Sequence, residues 1–255
     1  MVRRRTLIAA LATSCVAAFG AAGATATANA AASATDANPT AKVGKQTYVF
    51  KVTIRNLGRA DLTSPVYAVH NRSFRLFRLG KKASPGIADL AEDGATSGAL
   101  AEARGKRGVG QANIGPRIAA RRSASFRITT TSKHLRLSWA AMQICTNDVM
   151  AAQSNAKLPA SKVGARRVVR IRALDAGSEQ NTESRAHVPC LGTHNVGPNE
   201  NGVVKRSKGI RGRGDVVNAT QGWGKFLARV TNQAHQLAAH PRAPRQGPRH
   251  RRGGR

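Results

Sequence analysis

Three acids stand out by type and spacing. Asp148 ends the run Thr146-Asn147-Asp148, and Asp175 and Glu179 flank the turn Asp175-Ala176-Gly177-Ser178-Glu179. The chain of 255 residues holds 42 Lys and Arg against 12 Asp and Glu, a net charge of +30. Each acid is therefore scarce, and where it stands is informative. Carboxylates drawn together repel unless a cation lies between them. Hard oxygen donors of this kind suit Ca²⁺ or Mg²⁺. The competing reading is a polar Asp-x-Gly turn whose acids are solvated, because such turns are common. Spacing alone leaves both readings open.

Other groups invite chemistry less strongly. Cys15 falls inside an apolar leader, which leaves Cys145 and Cys190 as a pair. In an oxidising compartment an isolated pair forms a disulfide. The alternative, His187-x-x-Cys190-x-x-x-His194 as a zinc cluster, lacks a fourth ligand at a recognisable spacing. Asp89, Glu92 and Asp93 lie on or just after a short helical stretch and read as a solvated helix end, with a second cation site as the alternative. His70 stands on an expected strand and reads as structural. The sequence has no Gly-x-Ser-x-Gly elbow, His-Glu-x-x-His helix, phosphate-binding Gly loop or dinucleotide fingerprint, so the expectation is a protein that is not an enzyme.

The elements that must position these groups are mostly strands. Residues 46–56 alternate, with Tyr48, Phe50, Val52 and Ile54 on one face and Thr47, Lys51, Thr53 and Arg55 on the other. Residues 66–70, 123–129, 135–144, 168–173 and 226–230 read as further strands. Helical signals are short, at 86–92 and 97–104. Many short strands joined by turn-rich connections imply an all-β sandwich or barrel.

The ends read differently. Residues 1–31 form a signal peptide: Arg3, Arg4 and Arg5, then a small apolar run, then the cleavage pattern Ala28-Asn29-Ala30. Arg4-Arg5 also fits a twin-arginine signal loosely. Residues 32–45 read as a flexible leader, 46–232 as the folded domain, and 233–255 as a basic, disordered tail whose last fifteen residues carry six Arg and no acid. Setting aside the Arg of the signal and of that tail leaves 33 basic residues against all 12 acids. The folded part is thus basic in its own right, and such a surface attracts polyanions. The chain is expected to be exported, without a transmembrane segment.

Residues 47–231 resemble the spondin-domain family, of the F-spondin and mindin N-terminal type that also occurs in exported bacterial proteins. The motifs are Tyr48-Val49-Phe50-Lys51-Val52-Thr53-Ile54-Arg55-Asn56-Leu57, Ala83-Ser84-Pro85-Gly86-Ile87-Ala88-Asp89-Leu90-Ala91-Glu92-Asp93-Gly94, the two acid turns above, and Gly209-Ile210-Arg211-Gly212-Arg213-Gly214-Asp215, in the family's order. The resemblance implies an antiparallel eight-stranded β-sandwich, C2-like, with one Ca²⁺ at its loop end. It implies Asp148, Asp175 and Glu179 as the metal ligands, with Glu179 one methylene longer than the Asp of animal members.

Two functions follow as expectations. The first is a secreted, non-catalytic, calcium-binding protein that attaches to a surface or matrix. The second is a polyanion-binding protein, with an acidic cell-wall polymer, anionic lipid or nucleic acid as partner and a purely structural metal. Nucleic acid is the weakest partner, since aromatics are only 4% of residues, too few for an evident stacking platform.

Overall fold

The computed structural model describes residues 46–192 and 195–237. The expected signal peptide, the leader up to residue 45, and the tail beyond residue 237 lie outside the described residues. Among those described, the fold is mostly β, with two antiparallel sheets of four and six strands and few helices.

The strands are β1 (Thr47–Asn56), β2 (Val66–His70), β3 (Val109–Ile114), β4 (Ser123–Thr131), β5 (Arg136–Met142), β6 (Val149–Lys157), β7 (Arg166–Ile171), β8 (Ala173–Asp175), β9 (Lys205–Arg206) and β10 (Ala228–Leu237). The helices are α1 (Pro85–Glu92), α2 (Ser97–Arg104) and the single turn α3 (Asn218–Gln221). One sheet has the order β4-β1-β10-β7 and the other β3-β2-β5-β6-β8-β9. Ten strands stand where the resemblance implies eight. The difference has a local cause. The run Arg166–Asp175 breaks at Arg172, so β7 pairs in one sheet and β8 in the other, and β9 is only two residues long.

The main core lies between the sheets. Phe50, Val52 and Ile54 of β1 are fully buried there with Trp139 of β5 and Val230 of β10, as the alternation of β1 requires. The six-stranded sheet is buried on its other face too. Val66, Ala68, Ala140 and Met150 pack beneath Ile87 and Leu90 of α1 and Ala99 of α2. This second layer explains why every residue of β2 is buried and why β5 is buried throughout from Leu137 to Met142. Edge strand β7 carries Arg166, Arg167 and Arg170, charges that discourage pairing with another chain.

The helix pair depends on one close approach. A Cβ on Gly86 would stand 2.4 Å from the backbone N of Ala99. Glu102 of α2 reaches back to accept hydrogen bonds from the Gly86 N–H (2.7 Å) and the Ser84 hydroxyl, placing a carboxylate at the N-terminus of α1, where the helix dipole favours it. Gly86→Ala therefore forces backbone apart from backbone. We expect about 2–3 kcal/mol of destabilisation, measured by urea denaturation, with the sheets otherwise intact.

The last strand corrects the expected start of the tail. Residues 233–237 belong to β10, where Gln233 pairs with both Lys51 and Arg166. The strand reads as ended at Val230 because its inward residues are then Asn232 and Ala234, polar or small yet both buried.

Candidate metal centre

Pairing brings the first two acids together. Asp148 directly precedes β6, and Asp175 ends β8 opposite Val149. The antiparallel register therefore sets their carboxylates side by side at one end of the six-stranded sheet. The turn before Asp148 is closed by Thr146, whose hydroxyl donates to the Gln143 carbonyl (2.7 Å) and accepts from the Val149 N–H (3.1 Å).

The loop after β8 wraps Asp148. Its Oδ2 accepts hydrogen bonds from the backbone N–H groups of Ser178 (2.9 Å) and Glu179 (3.2 Å). Asp175 Oδ1 accepts from the Gly177 N–H (2.9 Å), and Asp175 Oδ2 from the Asn181 amide (2.8 Å). Gly177 has φ 73° and packs against Val203, where a Cβ would lie 2.5 Å from the Val203 N. Only glycine combines that left-handed backbone with so close a neighbour.

The third acid here is Glu200. Single oxygens of Asp148, Asp175 and Glu200 all lie within 4.8 Å of one another. Oxygens sharing one Ca²⁺ at about 2.4 Å stand within about 5 Å of each other, so this cluster could hold a metal ion. Glu200 arrives because the loop around it zips onto 177–180, through Glu200 N to Ser178 O (2.9 Å) and Gly202 N to Gly177 O (2.7 Å).

Glu179, expected as the third ligand, does not join these three. Its carboxylate accepts the Gly197 N–H (2.6 Å), which fastens the same loop that delivers Glu200. Its backbone N–H serves Asp148. Glu179 thus positions the site through its neighbours. Glu200 escaped sequence reading because it lies 25 residues beyond Asp175 in a loop without periodicity. The available signal was the one that singled out Asp175: a scarce acid among turn residues, here Pro198-Asn199-Glu200-Asn201-Gly202.

The electrostatics are unbalanced. Asp148 is fully buried, and its Oδ1 has no hydrogen-bond partner among the described residues. Burial pushes its pKa up to about 7, and the neighbouring Asp175 charge adds to the rise. Burial also raises Asp175 and Glu179. Lys205, opposite Asp175 on β9, lies 3.5 Å from Asp175 Oδ1 and contacts Glu200. Its ammonium stays charged, since burial lowers its pKa but the Glu200 hydrogen bond and the two carboxylates outweigh that. Asp175, Glu200 and Lys205 line a cleft of about 460 Å³, which gives an ion a way in.

The other singled-out groups take structural places. Cys145 and Cys190 form a disulfide with Cα atoms 5.2 Å apart, so Cys190 has no free thiolate for zinc, and His194 lies outside the described residues. His70 is buried. Its Nδ1 faces the Asn71 carbonyl (2.6 Å) and its Nε2 the Ser138 hydroxyl (2.8 Å). Glu183, buried nearby, accepts the backbone N–H groups of Arg211 and Arg213, which shapes the Gly209–Asp215 loop.

The chain matches no family model and no curated protein. Among the described residues, no helix is long and apolar enough to cross a membrane. The disulfide is compatible with an oxidising, extracellular setting.

Proposed function

We propose that this protein is a secreted, non-catalytic, spondin-type domain that binds one Ca²⁺ and uses the ordered loop end for attachment to a surface or matrix. One observation carries the cation: a fully buried carboxylate oxygen, Asp148 Oδ1, has no partner and sits beside two further carboxylates. A buried acceptor without a partner costs on the order of 1–3 kcal/mol, and a cation removes that cost. Ca²⁺ fits better than Zn²⁺ because the donors are all hard oxygens, and better than Mg²⁺ because an irregular set of loop donors suits its flexible coordination. The ligand set in this reading is Asp148, Asp175 and Glu200, with Glu179 holding the loop. When Ca²⁺ binds, the Lys205 ammonium swings out to solvent, since it occupies the same negative field. The attachment role rests on the spondin resemblance and on the export signal.

The test is the thermal response of the signal-free protein. Saturating Ca²⁺ raises the melting temperature over chelated protein by about 5–10 °C, because it binds only the folded site. Asp175→Asn removes most of that rise while leaving the chelated protein folded. A parent protein indifferent to Ca²⁺ would overturn the reading. Retention on a cell-surface fraction that follows salt and ignores Ca²⁺ would overturn the attachment role.

A further inference from the structure

A second site, independent of the acids, lies where the chain crosses from one sheet to the other. A cleft of about 610 Å³ opens beside the break between β7 and β8. Arg75 and Arg78 enter it from the segment after β2, Arg170 from β7, Arg172 from the crossing itself and Arg206 from β9. Among the described residues, no Asp or Glu lines it. Five cations from four stretches of the chain converge on one cleft.

The geometry is built. Arg75 is fixed by hydrogen bonds from Nη1 to the carbonyls of Arg72 (2.6 Å) and Phe74 (2.8 Å). Burial lowers its pKa, and the charges of Arg78 and Arg136 lower it further. Arg170 and Arg172 stand over the Phe226 ring, 5.6 and 5.7 Å from its centroid. Apart from Ser154 and Asn155 the remaining wall is apolar: Phe77 and Leu174 are buried with Ile171, and Leu79 is 58% exposed. A large exposed Leu and an aromatic ring beside clustered guanidiniums make a surface with two demands, one for an anion and one for an apolar group.

We propose that this cleft binds a phosphate ester that carries an apolar group. A phosphate monoester brings close to two negative charges and three acceptor oxygens, which matches several guanidinium forks. A single carboxylate brings one charge and two oxygens, and leaves most of the five arginines unanswered. The ester's apolar group covers Phe226 and Leu79. Neither the acids of the metal centre nor Ca²⁺ takes part, so binding persists in chelator.

The probe is octyl phosphate, titrated calorimetrically into signal-free protein with chelator present. The parent binds it, and binds inorganic phosphate about tenfold more weakly. Arg170→Glu with Arg172→Glu weakens octyl phosphate by roughly a hundredfold. Arg166→Glu with Arg167→Glu changes the net charge equally on the same strand, outside the cleft, and leaves affinity within about twofold of the parent. Phe226→Ala weakens octyl phosphate but not inorganic phosphate. Both double variants keep the parent's melting temperature within a few degrees, since all four side chains are exposed. Vesicles of phosphatidylcholine with and without phosphatidic acid separate the sources. Sedimentation with the acidic vesicles assigns the ester to a lipid headgroup, and octyl phosphate binding without sedimentation assigns it to a soluble ester. Absence of octyl phosphate binding by the parent overturns the proposal, as does an equal loss in the Arg166/Arg167 variant, which reduces the effect to net charge.

Discussion

With divalent cations chelated, Asp148 makes the protein lose stability as pH rises from about 4 to about 7, and leaves stability level above that. Asp148 has an ordinary carboxylate pKa of 3.8 once unfolded and about 7 when folded. The folded state therefore keeps a proton that the unfolded state releases. Its contribution is fully present below pH 4 and is lost as pH climbs through 7. The span corresponds to roughly 4 kcal/mol. Asp175 and Glu179, also raised by burial, act in the same direction. His70 acts the other way, because burial lowers its pKa and stability falls as pH drops below about 6.5. The comparison that isolates Asp148 is the parent against Asp148→Asn, whose uncharged amide keeps an oxygen for the Ser178 and Glu179 N–H groups. In chelator at pH 8 the variant is the more stable by a few kcal/mol; at pH 4 the two converge. On the proposed Ca²⁺ reading, saturating Ca²⁺ is expected to reverse the order at pH 8, since the metal takes the ionised carboxylate. Parent and variant curves that run parallel across this range in chelator would show that Asp148 is not held protonated.

Loss of the Cys145–Cys190 bond is the largest single destabilisation expected from a covalent change. The bond closes a sequence separation of 45 residues, worth about 4 kcal/mol on the chain-entropy account. Replacing both cysteines by Ser lowers the melting temperature by about 10 °C. The calcium response weakens with it, because Cys145 lies three residues before Asp148 and packs with Val188 and Val216 under the same loop end. A double variant that melts with the parent, or an intact protein indifferent to reductant, would show that the crosslink is dispensable.

Legibility followed periodicity. β1 was readable because Tyr48, Phe50, Val52 and Ile54 alternate and all four are buried. α1 and α2 were readable from their short amphipathic runs. β6 was not, since Val149–Lys157 passes from Val-Met-Ala-Ala into Gln-Ser-Asn. Only its pairing with β5 and β8 makes it a strand, and pairing partners are not local information. β3 was missed for the same reason, as Gly110 and Gln111 interrupt its pattern. At the candidate metal centre, Asp148 and Asp175 were legible because each is a scarce acid at a turn, one just before β6 and the other at the end of β8. Glu200 depends on a loop docking across about twenty residues, decided by the Glu179–Gly197 contact, which no spacing rule encodes.

The order β4-β1-β10-β7 has a consequence for the time at which this domain can fold. Among the described residues β10 is the last strand made, yet it stands in the interior of its sheet, between β1 and β7. Until residues 228–237 have left the ribosome, β7 has no neighbour among the described strands of that sheet, and β1 has only β4 beside it. The four-stranded sheet therefore closes only after residue 237 has been made. Long-range closure of this kind makes the final step slow.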